Sequence, residues 1–331
     1  MPMIWPCRRL GLRRLRYNSF VLPLLELILV GRASNRGKRT LGKLKLALTI
    51  RNNGLIIFDS LGADDLQTGR RLCTEITGYS AGIGRSGYCT RYETHNISAF
   101  HACMMATAQE CKSGILKPIL HFECHGDEKK GLYFPSSNEY MSWNVLRDYI
   151  SDLNHMTKNC CGVVMAACHG AAVTQQLLIS SPSPFNILIA ANVEMQARSF
   201  DDNMSQFYRT LAYNGDLKTA LTSLPPEMEV TFAAEWFYKT FGTYLAHKHT
   251  QREINNIVSK VLTARLQRNP NLSPAQRASA LNRERRDIKG RIKGIEGLVS
   301  HFSDIFFHGQ PPVPTSEVVD WIKANKASRN R

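Results

Sequence analysis

The sequence predicts an α/β fold with a mostly parallel sheet, followed by a helical C-terminal region. Three observations predict it. Short unbroken apolar runs, such as Leu55–Phe58, Gly162–Ala167 and Ile187–Ala191, have the length and composition of strands buried on both faces. They alternate with stretches whose apolar residues recur at helical spacing, the rhythm of strand–helix–strand units. Beyond about residue 234 the strand-like runs stop and only helical patterns remain.

Taken in order, Leu55–Phe58 is a strand bounded by Asn52-Asn53-Gly54 and Asp59-Ser60-Leu61-Gly62. A helix over 65–77 follows Asp64-Asp65, with Leu66, Leu72 and Ile76 on one face. Tyr88–Tyr92 is a strand after the Gly-rich stretch 78–87. Ile97–Cys111 is a helix with Asn96 or Ser98 near its start and Gly114 past its end. Pro118–Cys124 is a strand, 126–131 a turn, and Leu132–Phe134 a short strand. Ser142 suits the N-cap of a helix over Trp143–Asn154. The strands Gly162–Ala167 and Ile187–Ala191 come next, then helices over Phe200–Leu211 and Leu217–Leu224. Helices over Glu235–His247, Arg252–Gln267 and Pro274–Phe307 complete the pattern, with Pro311, Pro312 and Pro314 breaking the last one. Three regions result: a basic extension outside the core at 1–50, an α/β domain at 51–233, and a helical region at 234–331 ending in a basic tail.

Composition narrows the function classes. With 43% apolar and 21% charged residues among 331, the chain can bury a large core and is neither disordered nor collagen-like. No stretch of 18 apolar residues is present, which argues against a membrane-spanning helix. The net charge of +15 is carried by the ends: residues 1–51 hold +11, 52–250 hold −4 and 251–331 hold +8. A mildly acidic middle argues against nucleic acid as a partner. The N-terminus has the outline of a secretory signal, with Arg8-Arg9 and Arg13-Arg14 before the apolar run 20–31. Pro23 and Glu26 interrupt that run, and Gly-Arg-Ala-Ser after it makes a poor cleavage site. The nine cysteines include no CxxC and no zinc spacing, so free thiols in a reducing cytoplasm are expected, with no metal and no cofactor. The glycines at 78, 82, 84 and 87 do not make a nucleotide fingerprint.

Chemistry concentrates at two strand ends. The strand Pro118–Cys124 runs into His125-Gly126, and the strand Gly162–Ala167 into Cys168-His169-Gly170. If the strands are parallel neighbours, an imidazole and a thiol meet at the carboxyl edge of the sheet, where α/β proteins gather their functional groups. A cysteine with a pKa near ~8.5 needs such a base to become a thiolate nucleophile. The glycines let substrate backbone approach and let amides turn toward a developing oxyanion. A helix starting after Cys168 would favour the thiolate through its dipole. Glu123, two residues before His125, is a candidate to orient the imidazole. Asp59 and Glu194, at or just past strand ends, are candidates for a specificity pocket. His169 is expected to point away, and Cys124, Cys160 and Cys161 to be ordinary thiols.

The segments ILHFECHG (119–126) and VVMAACHG (163–170), with the order strand, helix, His strand, helix, Cys strand, resemble the caspase-like cysteine peptidases. That clan takes in caspases, metacaspases, separase-like and CHAT-type domains, and the chain looks most like the compact bacterial CHAT type over roughly residues 50–225. The resemblance implies a caspase-like three-layer sandwich and a cysteine endopeptidase acting on a protein or peptide substrate. It implies His125 as general acid/base, Cys168 as nucleophile, and the amides of Gly126 and Cys168 as oxyanion donors. It also implies switching by an activating partner, self-association or cleavage. Metacaspases carry an acid two residues before the nucleophile, where this chain has Ala166, so that route to a basic P1 residue is missing. The mildly acidic middle and Asp59 still lean toward Arg or Lys at P1. The other reading is a catalytically silent caspase-like module that docks a partner through its helical C-terminal region.

Overall fold

A computed structural model describes residues 44, 46, 51–193, 197–268 and 274–327. The expectation for residues 1–50 falls almost wholly outside them. The four apolar runs form the parallel centre of a six-stranded sheet: β1 (Gly54–Asp59), β3 (Pro118–Glu123), β7 (Gly162–Ala166) and β8 (Ile187–Ala191). β2 (Cys89–Glu93) lies parallel on one edge and β9 (Met228–Phe232) antiparallel on the other, in the order β2-β1-β3-β7-β8-β9. Every residue of β1, β3 and β8 is buried, which is why β1 and β8 read as hydrophobic runs, while β3 carries the polar His121 and Glu123 into the interior.

Side chains alternate between the two faces. Leu55, Ile57, Ile119, Val164 and Ile189 pack with Leu72 and Ile76 of α1 (Thr68–Gly82) and with Met204, Phe207 and Tyr208 of α4 (Ala197–Asn214). On the other face Phe58 and Phe122 stack at 5.3 Å and meet Phe100 of α2 (Ile97–Lys112), which also touches Tyr149 of α3 (Trp143–Met156). Helices thus cover both faces of the sheet. Asn96 and Ser142 cap α2 and α3 by accepting from the N–H groups of Ala99 and Val145.

Differences from expectation cluster where elements are short. α1 begins at Thr68 rather than 65, leaving Asp64 and Asp65 in the loop after β1. The span read as a turn at 126–131 contains a strand: β4 (His125–Asp127), β5 (Gly131–Phe134) and β6 (Glu139–Met141) form a separate antiparallel sheet. The edge strand β9 also escapes the sequence reading; with Glu229 and Thr231 between its apolar residues it lacks a continuous run. α5 (Leu217–Leu221) is a short helix between α4 and β9.

The helical region divides between two compact units. In the α/β unit, α6 (Ala233–His247) and α9 (Ile295–Phe306) join through an aromatic cluster in which Phe237 and Phe306 stand 4.6 Å apart, and Trp321 of α10 (Thr315–Ala327) packs against Gly242 of α6. The other unit contains α7 (Gln251–Arg268) and α8 (Pro274–Lys293), which share a seam of Ile254, Ile257, Val258, Leu262 and Ile288. The expected helix 274–307 is two helices, separated at Gly294. Beyond the three prolines the chain forms one more helix, whose first turn is closed by the Glu317 N–H donating to the Pro314 carbonyl at 3.1 Å. Among the described residues no helix is long and apolar enough to cross a membrane.

Candidate active site at the carboxyl edge of the sheet

β3 and β7 are parallel neighbours, in a register that pairs Glu123 with Ala166. Two residues beyond each partner come His125 and Cys168, so the parallel pairing delivers both to the same edge. The contact between the two chain segments is tight. A Cβ at Gly126 would stand 2.0 Å from the Cys168 carbonyl oxygen, so only glycine fits beside the Cys168 main chain. After Cys168 the chain turns sharply: His169 is left-handed (φ 58°), a conformation that costs a side-chain-bearing residue roughly 1–2 kcal/mol. Backbone strain of this kind concentrates at functional sites. The expected helix after Cys168 is a seven-residue 3₁₀ segment over Gly170–Gln176, so little helix dipole reaches the thiol.

His125 is half-exposed, and its Nε2–H donates to Oδ2 of Asp65 at 2.9 Å. Asp65 sits in the β1–α1 loop and is itself fixed, because the same oxygen accepts the Gly62 N–H at 2.7 Å. Partial burial pushes the Asp65 carboxyl up, but the bonds from His125 and Gly62 and the imidazole's charge outweigh it and hold the carboxyl below its ordinary value. An ionised Asp65 fixes the imidazole tautomer and ring plane, leaving Nδ1 for proton transfer. Cys168 is half-buried. Burial, and after it the charge of Glu123, pushes the thiol of the neighbouring buried Cys124 up and keeps it protonated. Among the described residues Cys168 and His125 share no hydrogen bond. Catalytic hydrogen bonds in ligand-free enzymes are often long and close on substrate.

The remaining candidates are placed elsewhere. Glu123, expected to orient His125, instead holds a buried relay: it accepts from Thr68 Oγ1 and bonds His121 Nε2 at 2.7 Å, while His121 Nδ1 meets the Tyr208 hydroxyl at 2.8 Å. The strand ends at Glu123 and the chain swings into β4, so the two-residue alternation does not carry across to His125. Asp59, expected in a specificity pocket, is 4% exposed and accepts from Arg91 Nε at 2.7 Å. Its charge is already matched within the fold. Glu194 lies outside the described residues. Gly126 and Cys168, the expected oxyanion donors, come together at the edge as described.

Beside His125 opens a cavity of about 450 Å³, lined by Asp64, Asp65, Asp127, Tyr133 and Tyr140 among others. Cys168 does not line it. Tyr133 and Tyr140 stand 4.7 Å apart, and the Lys130 ammonium lies 4.7 Å over the Tyr140 ring. Among the described residues no group of three or more His, Cys, Asp or Glu side chains is set to hold a metal ion. Sequence reasoning missed Asp65 and this cavity. The signal available was Asp64-Asp65 itself, which helix-start logic absorbs as an N-terminal feature. No protein-family model matches the chain, and no curated protein matches it.

Proposed function

We propose that the protein is a caspase-like cysteine endopeptidase, with Cys168 as nucleophile, His125 as general acid/base and Asp65 orienting the imidazole. The observation that carries this reading is the Gly126–Cys168 contact, which brings the His-Gly and Cys-His-Gly segments together at one sheet edge. In the reaction His125 takes the Cys168 proton and the thiolate attacks the scissile carbonyl. The amides of Gly126 and Cys168 receive the oxyanion, and His125 returns the proton to the leaving amine. Water then attacks the thioester with His125 as base, releasing the acid product and restoring the thiol.

The side chain before the scissile bond is a basic one on this reading, and its carboxylate partners are not Asp59. The cavity beside His125 carries Asp64, Asp65 and Asp127 against two tyrosine rings, and Lys130 already rests over one of them. Such a surface suits a guanidinium or ammonium. The test is hydrolysis of a fluorogenic peptide library varied at P1. Release after Arg or Lys, lost in Cys168→Ser and His125→Ala, is the expected result. A fold that hydrolyses no member of the library would favour the silent, partner-docking reading.

A further inference from the structure

Cys73 and Cys89 are brought together by different elements, far from the edge that holds Cys168. Cys73 lies on α1 and Cys89 opens β2, the edge strand of the sheet. The helix packs on the face toward which Cys89 points, and their sulfurs stand 3.5 Å apart, the Cys89 thiol donating to the Cys73 sulfur. That gap is about 1.5 Å more than a disulfide bond, a distance two side chains can close by small rotations. Cys89 is buried, whereas Cys73 is half-exposed and open to a small reagent. We propose that Cys73 and Cys89 form a reversible oxidation site, a dithiol that a hydroperoxide converts to a disulfide joining α1 to the edge strand.

The chemistry balances within the pair. The Cys73 thiolate attacks one peroxide oxygen and the O–O bond breaks, giving a Cys73 sulfenic acid and hydroxide. The Cys89 sulfur then attacks the sulfenic sulfur, the S–S bond forms, and the leaving hydroxide carries away the Cys89 proton as water. Two thiols are oxidised and one peroxide is reduced to two molecules of water or, for an organic peroxide, to water and an alcohol. The surroundings favour Cys73 as the attacking sulfur. The bond from Cys89 pulls its pKa down to about 6 against the opposing effect of burial, with help from Thr77 and the Arg91 guanidinium. That same bond, with burial, pushes the Cys89 thiol up and keeps it protonated until attack.

The sequence supplies a clean readout. Trypsin cuts after Arg71, Arg85 and Arg91, so Cys73 and Cys89 fall in separate peptides, 72–85 and 86–91, that only a disulfide can join. The experiment treats the full chain carrying Cys168→Ser with hydrogen peroxide, then maps it without reductant. The expected result is a linked 72–85/86–91 peptide that replaces the two free ones and reverts with dithiothreitol. Cys73→Ser or Cys89→Ser should abolish it, and Cys111→Ser should not. Oxidation that stops at a sulfinic acid on Cys73, or a linked peptide involving another cysteine, overturns the proposal. Because Cys168 is absent from the tested chain, the outcome is independent of the peptidase reading.

Discussion

The bond between His125 and Asp65 spans sixty residues of sequence, and it decides how the imidazole is held. Removing the acceptor charge while keeping the shape is the direct probe of it. Asp65→Asn should lower kcat by roughly 10- to 100-fold with KM little changed, since general acid–base assistance as a whole contributes about 10²–10⁴-fold. Steady-state kinetics on an Arg-P1 peptide would show it. Gly126→Ala makes a harsher prediction, because the added methyl cannot coexist with the Cys168 carbonyl. Turnover should vanish while far-UV circular dichroism stays native; a Gly126→Ala protein with near-native activity would mean the two segments are further apart. At this scale the placement of His125 and Cys168 at one sheet edge was legible, because each follows a strand-like run and is itself followed within two residues by glycine. Asp65 was not, because nothing in its local sequence reports which side chain lies across the loop. Asp59 and Glu123 were placed at the right strand ends, but their partners Arg91, Thr68 and His121 are set by neighbouring elements.

Among the elements, β3 ties the edge of the sheet to the helices through its buried polar residues. Glu123, at 6% exposure, joins β3 to α1 through Thr68, and His121 joins β3 to α4 through Tyr208. Glu123→Ala would remove the carboxylate that both His121 Nε2 and the Thr68 hydroxyl bond in the interior, a loss on the order of 3 kcal/mol. Urea denaturation should show that loss. If Glu123 oriented His125 instead, the same variant would lose kcat and keep its stability, so the two roles separate cleanly. The long buried strands and the capped helices α2 and α3 were legible in the sequence, since burial on both faces and the side chains of Asn96 and Ser142 leave direct marks. The strands β4 and β6 were not. Each is three residues long, too short for any period to show, and their pairing depends on the hairpin as a whole.

Across the whole molecule, the segregation of charge was legible by counting, but the division of the C-terminal helices was not. An apolar stripe on a helix says that it packs, not against what: α7 and α8 share their stripes with each other, while α6, α9 and α10 join the α/β unit. One consequence of that joining is pH-dependent. His308, just past α9, donates from Nε2 to the Ser183 carbonyl at 2.9 Å and lies 3.2 Å from the His155 ring nitrogen. Burial, with the nearby His155 charge adding to it, pushes His308 down to about 4 despite the bond to Ser183. The unfolded chain, with an ordinary histidine pKa near 6.5, therefore binds the proton first as pH falls. Stability should drop between about pH 6.5 and pH 4 by on the order of 3 kcal/mol and then level off for this group. His308→Asn, which tolerates the left-handed backbone at that position (φ 54°), should flatten that part of the profile in urea titrations. A variant whose profile matches the parent would remove His308 from the explanation.

The central claim is that Cys168 is a nucleophile activated at this edge, and a covalent peptide trap tests it most directly. An acyloxymethyl ketone carrying Arg at P1 should add one equivalent to the protein, with the adduct mapped to Cys168. Labelling should slow sharply in His125→Ala and less in Asp65→Asn. An adduct on any other cysteine, or labelling of Cys168 at an unchanged rate in His125→Ala, would contradict the account.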